Sequence, residues 1–316
     1  MELDIYLDHT DLAKQLRADA SAGLTATPKW LSPRWFYDAR GSDLFEEITQ
    51  LDEYYPTRTE RAILTERAHE IAELTGARTL VELGSGSSDK TRLLLDALSP
   101  ALFMPLDVSV SALKAAAVAV HAEYPNMRVH ALVADFNRHL ERIPRAESRL
   151  VAFLGGTIGN LIPEERARFY AELRGALEPG EWLLLGTDLV KDPGTLVRAY
   201  DDAAGVTAEF NKNVLLVLNR ELGADFDVDS FAHVAHWDAE HEWIEMRLRA
   251  ERDMRVHLQR LDLTVEFAAK EELHTEVSAK FREEGVATEL RAAGFEPLRW
   301  WTDPDDLFGL TLAVAS

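Results

Sequence analysis

The chain has no cysteine among its 316 residues, which excludes disulfides and thiol catalysis and fits a cytosolic protein. It also lacks any apolar run near the ~18 residues that cross a bilayer. Its first residues, Met-Glu-Leu-Asp-Ile, set no basic region ahead of a hydrophobic one. A cytoplasmic protein, neither exported nor inserted in a membrane, is therefore expected. Cations are scarce too: 34 Lys and Arg stand against 55 Asp and Glu, a formal net charge of −21. Binding a polyanion needs clustered Lys and Arg to neutralise phosphates, so a small-molecule substrate is favoured over DNA, RNA or a membrane surface. No internal repeat or low-complexity tract occurs. What is present is a 47% hydrophobic composition, enough to bury a large core in one large or two modest domains.

The most informative stretch is Thr79-Leu-Val-Glu-Leu-Gly-Ser-Gly-Ser-Ser-Asp-Lys-Thr91, an apolar strand running into a glycine turn that opens a helix near Ser88. Gly84 and Gly86 allow a tight turn and close approach of a ligand, and the helix N-terminus offers unpaired amides. The next apolar strand ends in Asp107, about 20 residues beyond the turn, the spacing at which α/β folds hydrogen-bond ribose hydroxyls. A plain βα turn has the same look. The third glycine of a dinucleotide fingerprint would fall at Asp89 and is absent, which disfavours a nicotinamide cofactor and leaves the shorter turn typical of S-adenosylmethionine sites.

Short β-rich apolar runs at 79–83, 102–106, 128–133, 150–154 and 182–186 read as buried parallel strands. Helical segments at 109–123 and 163–177 separate them; the second opens with Pro163 and closes before Pro179-Gly180. This βαβαβ order predicts a doubly wound α/β sheet. Its last two strands come only at 298–301 and 309–314, after a helix near 283–293. The insert between is helical around 196–218, and its later segments alternate with period two, as in an antiparallel sheet with one wet face. The first 57 residues are mostly helical and aromatic-rich. They are expected to pack with the insert as a substrate-capturing cap over the C-terminal ends of the parallel strands. The resulting division is 1–57 with 191–279 for the cap, and 58–190 with 280–316 for the cofactor domain.

Six motifs then stand in one order across nearly the whole chain: Trp35-Phe-Tyr-Asp with Gly41-Ser-Asp-Leu-Phe45, Glu53-Tyr-Tyr-Pro-Thr-Arg-Thr-Glu60, Val81-Glu-Leu-Gly-Ser-Gly, Phe153-Leu-Gly-Gly-Thr-Ile-Gly-Asn160, Gly186-Thr-Asp-Leu-Val-Lys-Asp192 and Thr275-Glu-Val-Ser-Ala-Lys-Phe281. Together they closely resemble the ergothioneine-pathway histidine Nα-methyltransferases. The resemblance implies a Rossmann-like methyltransferase sheet with an inserted α+β substrate-binding domain. It implies S-adenosylmethionine as cofactor and L-histidine as substrate, trimethylated on its α-amino group to hercynine. Composition and periodicity alone stop at a cofactor-binding α/β enzyme.

By the same resemblance Gly84, Gly86, Lys90, Asp107, Asp135 and Phe136 bind the cofactor: Asp107 accepts from the ribose hydroxyls, Asp135 from the adenine amino group, and Phe136 packs on the ring. Asn160, Tyr54 and Tyr200 hold the amino-acid head, with Tyr37, Phe45 and the Gly155-Gly156 backbone shaping the pocket; Asn160 and Tyr37 are the catalytic candidates. An Asn amide both donates and accepts, so Asn160 can bind a carboxylate or hold an amine's lone pair in line. Glu276 and Ser278, two apart on a predicted strand, share a face and can both reach one imidazole, with Met246 as apolar wall. A carboxylate there discriminates against side chains that leave it buried and unpaired. His233 and His236 lie at i and i+3 of a predicted strand and face opposite sides, so no metal site is expected. A monomer is expected. The glycine turn departs from many methyltransferases in having Ser88 where they have glycine. The alternative is a methyltransferase of another amino acid or small amine.

Overall fold

The computed structural model describes residues 1–86 and 88–316, with only the backbone of His9; Ser87, in the glycine turn, lies outside the described residues. The chain begins β1 (Glu2–Ile5), α1 (His9–Thr25), β2 (Lys29–Trp30), α2 (Ala39–Thr49), α3 (Pro56–Thr75), β3 (Thr79–Leu83), α4 (Thr91–Leu98), β4 (Leu102–Asp107), α5 (Val110–Glu123) and β5 (Arg128–Val133). It continues with β6 (Arg149–Phe153), α6 (Pro163–Ala176), β7 (Trp182–Asp188), α7 (Pro193–Tyr200), α8 (Val206–Leu222), β8 (Phe231–Asp238) and β9 (Trp243–Ala250). The remainder is β10 (Met254–Leu258), β11 (Leu263–Phe267), β12 (Glu272–Ala279), α9 (Glu283–Ala292), β13 (Phe295–Thr302) and β14 (Phe308–Ala315).

Two compact units result: Met1–Leu7, Pro56–Val190 and Lys280–Ser316 form one, and Asp8–Tyr55 with Lys191–Ala279 form the other. The first is built on an 8-stranded sheet in the order β1-β5-β4-β3-β6-β7-β14-β13. From β5 to β7 neighbouring strands run parallel, and β14 lies antiparallel to both β7 and β13. The chain order reverses on either side of β3, so the loops after β3 and β6 open at the switch point, where α/β sheets bind ligands. Every residue of β3 and β6 is buried, which is why they are mostly apolar, with Glu82 and Arg149 as buried charged exceptions.

Three local expectations change. Residues 2–5 were read with the helical N-terminal segment, yet they pair in parallel with β5, Glu2 opposite His130 and Ile5 opposite Val133. Four residues with two acids carry little strand signal. They satisfy an edge of β5 that would otherwise be unpaired, and the first seven residues therefore belong with the sheet. The next limit lies between Tyr55 and Pro56, because Pro56 opens α3. Finally, the helix after the glycine turn starts at Thr91 rather than near Ser88. Ser88 has φ +56°, a left-handed conformation that cannot lie inside an α-helix and that glycine adopts freely.

The second unit holds a 4-stranded sheet, β2-β12-β9-β8, and the β10-β11 hairpin. The helical stretch expected around 196–218 is two helices. Gly205 is left-handed before α8, and the Asp202 carboxylate caps that helix by accepting from the Val206 and Thr207 N–H groups. Among the described residues no helix is long and apolar enough to cross a membrane.

Candidate active site

The glycine turn occupies the C-terminal end of β3. Gly84 and Gly86 have φ of +67° and +48°. Gly84 N–H donates to the Leu106 carbonyl at 2.8 Å, which locks the turn to the end of β4. A Cβ on Gly86 would meet nothing within 4 Å, and one on Gly84 would come 3.9 Å from the Phe136 ring. The turn therefore has open space before it and an aromatic edge beside it. Phe136 is held by Phe153 and Phe169, with ring centroids 5.0 and 6.1 Å away. Asp107 accepts from the N–H of Gly86 at 3.1 Å and of Ser109 at 2.9 Å. Burial pushes its carboxyl pKa up, against the pull of those backbone donors. Asp135 is buried just past β5 and accepts from Asn137 N–H at 2.9 Å. Two carboxylates, an aromatic edge and an open glycine turn fit a nucleoside with a diol and an exocyclic amino group.

A residue outside the expected cofactor set anchors this region. Glu60, fully buried on α3, is ion-paired with Lys90 and accepts from Gly155 N–H with both oxygens, at 2.8 and 2.9 Å. Gly155 and Gly156 have φ of +79° and +69°, two consecutive left-handed residues that turn the chain out of β6. The short 3₁₀ helix Thr157–Asn160 follows, pinned by Thr157 Oγ1 on the Leu154 carbonyl at 3.0 Å, and it carries Asn160 at its end. Glu60 thus ties the glycine-turn lysine to the loop that presents Asn160.

Glu82, at the buried end of β3, accepts from the Thr91 hydroxyl. Burial pushes its pKa up to about 7, with Thr91 and the Lys90 charge opposing. A carboxyl raised in the folded state contributes most stability below its unfolded value of about 4.5 and loses it as pH rises through about 7. Relative to the parent, the Glu82→Gln variant is therefore expected to gain roughly 3 kcal/mol between pH 5 and pH 8. Urea denaturation at both pH values measures this, and an equal gap between the two proteins at both pH values would refute it.

In the second unit the aromatic candidates come together. Tyr37 packs edge-on against Phe45 and Phe210, with centroids at 5.7 and 5.5 Å; Phe45 meets Tyr54 at 6.2 Å, and Tyr54 meets Tyr200 at 6.4 Å. Tyr200 Oη lies 2.7 Å from Ser278 Oγ, where either hydroxyl can donate. Strand β12 carries a bulge between His274 and Glu276: His274 lies opposite Arg247 of β9, while Glu276 lies opposite Met246. Arg247 and Met246 are successive residues and face opposite sides, so the bulge moves Glu276 off the face of His274. Ser278 follows on the new face opposite Ile244, so that Glu276, Ser278 and Met246 share one side.

The extra residue in the bulge, Thr275, is buried, and its single hydroxyl proton is shared between the Met246 carbonyl at 2.9 Å and Asn211 Oδ1 at 2.7 Å. Asn211 Nδ2 lies 2.8 Å from His233 Nδ1, and His233 Nε2 lies 2.8 Å from the Tyr200 carbonyl. An amide NH₂ can only donate, so Nδ1 accepts and the imidazole is neutral with its proton on Nε2. Burial lowers its pKa accordingly. His233 and Asn211 thus brace Tyr200. Nothing in the sequence marks Asn211, which reads as one polar residue inside a helix. Glu60 sits in a recognised motif, but its partners are remote in the chain.

A family model described as "Histidine-specific methyltransferase, SAM-dependent" matches residues 16–315. Histidine N-alpha-methyltransferase of Mycolicibacterium smegmatis is 58% identical over 318 residues, covering 99% of this chain and 99% of that protein. The protein of the same description from Mycobacterium tuberculosis is 57% identical over 303 residues, 95% of this chain and 94% of that one. Ergothioneine biosynthesis protein 1 of Neurospora crassa is 33% identical over 205 residues, 62% of this chain and 23% of that protein.

Proposed function

The chain belongs to the histidine-specific, S-adenosylmethionine-dependent methyltransferases, and on that premise we propose that it methylates the α-amino group of L-histidine three times. The product is hercynine, and the step is the first of ergothioneine biosynthesis. The observation that carries the substrate is the bulge in β12, which sets Glu276 on one face with Ser278 and directly opposite Met246. A carboxylate and a hydroxyl beside a thioether wall suit an imidazole, whose nitrogens offer a donor and an acceptor on a flat apolar ring.

When bound, S-adenosylmethionine supplies a methyl group on a sulfonium, a good leaving group, for in-line displacement by an amine. The residues then align and desolvate. In this reading Gly84 and Gly86 let the backbone approach the cofactor, and Lys90 meets it as a cation held by Glu60. Asp107 accepts from the ribose hydroxyls, Asp135 from the adenine amino group, and Phe136 borders the ring. Asn160, Tyr54 and Tyr200 hold the amino-acid head, and Tyr37, Phe45 and Gly155 shape the space around it. In the first two transfers the Asn160 amide oxygen accepts from an amine N–H, leaving the nitrogen lone pair directed at the methyl carbon; the third nucleophile is a tertiary amine with no N–H, aligned by the surrounding pocket alone. Each transfer forms one C–N bond and breaks one C–S bond; the first two each release one proton from nitrogen, and the third leaves the quaternary ammonium with none to lose. A cytoplasmic, monomeric enzyme completes the reading, supported for its location by the cysteine-free composition.

Mass spectrometry after incubation with S-adenosylmethionine and an equimolar mixture of amino acids tests the reaction. Histidine alone should gain three methyl groups; methylation of another amino acid would establish the alternative substrate instead. Asp107→Ala is expected to raise the cofactor KM roughly 10- to 100-fold, as loss of hydrogen bonds to a charged acceptor does, with the histidine KM nearly unchanged. Equal changes in both constants would argue against the ribose assignment.

A further inference from the structure

The turn after β5 closes on one imidazole. Asp135 presents its carbonyl to the N–H groups of Arg138 and His139, both at 2.9 Å, and its Oδ1 to Asn137 N–H. Its own N–H donates to Nδ1 of His139 at 3.1 Å. Asp135 is buried, so this N–H needs an acceptor. A ring nitrogen accepts only in the neutral imidazole with its proton on the other nitrogen. On its far side the half-buried His139 ring meets Tyr6, with centroids 6.5 Å apart, and Tyr6 N–H is anchored on the Val133 carbonyl at 2.9 Å. The β1 segment, which has no part in methyl transfer, thus backs the turn that presents Asp135 and Phe136.

We propose that His139 is a positioning residue for the adenine end of the cofactor, its Nδ1 lone pair fixing the backbone from which Asp135 and Phe136 project. This rests on the assignment of those two residues to adenine.

Calorimetric titration with S-adenosylhomocysteine, and with methylthioadenosine, which keeps the nucleoside but lacks the amino-acid end, tests this. His139→Ala should weaken both ligands about 5- to 10-fold at pH 8, the effect of one lost backbone hydrogen bond, and leave the histidine KM unmoved. His139→Asn places an amide oxygen near the position of Nδ1, an acceptor at every pH. It should restore affinity for both ligands. The inference falls if His139→Ala binds like the parent or if His139→Asn binds no better than His139→Ala. Asp135→Ala is the control: undiminished binding there would overturn the adenine assignment and the inference with it, whereas weak Asp135→Ala beside normal His139→Ala overturns the inference alone.

Discussion

Replacing Glu276 with Ala is expected to raise the histidine KM roughly 100-fold, the scale of a charge-assisted hydrogen bond lost in a desolvated pocket. The cofactor KM should stay near the parent value, because no cofactor role is assigned to this strand. Glu276→Gln keeps an acceptor without the charge and should fall between. Selectivity should relax in the alanine variant: amino acids with aliphatic or indole side chains no longer face a carboxylate that favours an imidazole, so their turnover relative to histidine rises. Steady-state kinetics with both substrates varied measures this. An unchanged histidine KM would remove Glu276 from the imidazole site, and equal losses toward both substrates would point to unfolding rather than recognition.

Replacing Glu60 with Ala is expected to have the largest effect on the sheet unit. The carboxylate is fully buried and compensates both the Lys90 cation and the Gly155 N–H. Its removal strands both, and breaking a buried pair in this way typically costs about 3–5 kcal/mol. Activity should fall with stability, since the lysine of the glycine turn and the loop bearing Asn160 lose their common anchor. The double variant Glu60→Ala/Lys90→Met separates the two effects: with no unpaired charge left, much of the stability should return, while cofactor affinity should not. If the single variant unfolded at the same urea concentration as the parent, the anchor role would be wrong. Gly186 explains why the carboxylate fits, because a Cβ there would come within 2.1 Å of Glu60 Oε1.

The frame of this site was legible because its signals are local. An apolar strand, a glycine turn and an acid at the end of the next strand can be read from neighbours in the chain, as can the glycines before Asn160, whereas Asp135-Phe136 stands out only through the family resemblance. The missed features depend on pairing. Strand β1 is too short and too acidic to announce itself, and it exists because β5 has an edge to cover. The bulge at Thr275 is invisible to a period-two reading, which sets His274, Glu276 and Ser278 on one face. Only the register with β9 parts His274 from the other two. Glu60 and Asn211 acquire their meaning from partners far along the chain, Gly155 and His233.

The bulge also bears on the alternatives this chain must avoid while folding. Were β12 to pair without it, Glu276 would come to lie directly across from Glu245, the residue before Met246 on β9. Like charges opposite one another in an antiparallel pair repel. Glu245 is already committed to Arg247, and Arg247 also serves Glu272, so a third acid on that face would have to share a cation already divided between two. The ion pairs on the outer face of the sheet thus act as a proofreader of strand alignment, making the one-residue slip that would blind the imidazole pocket the costlier way to zip the sheet.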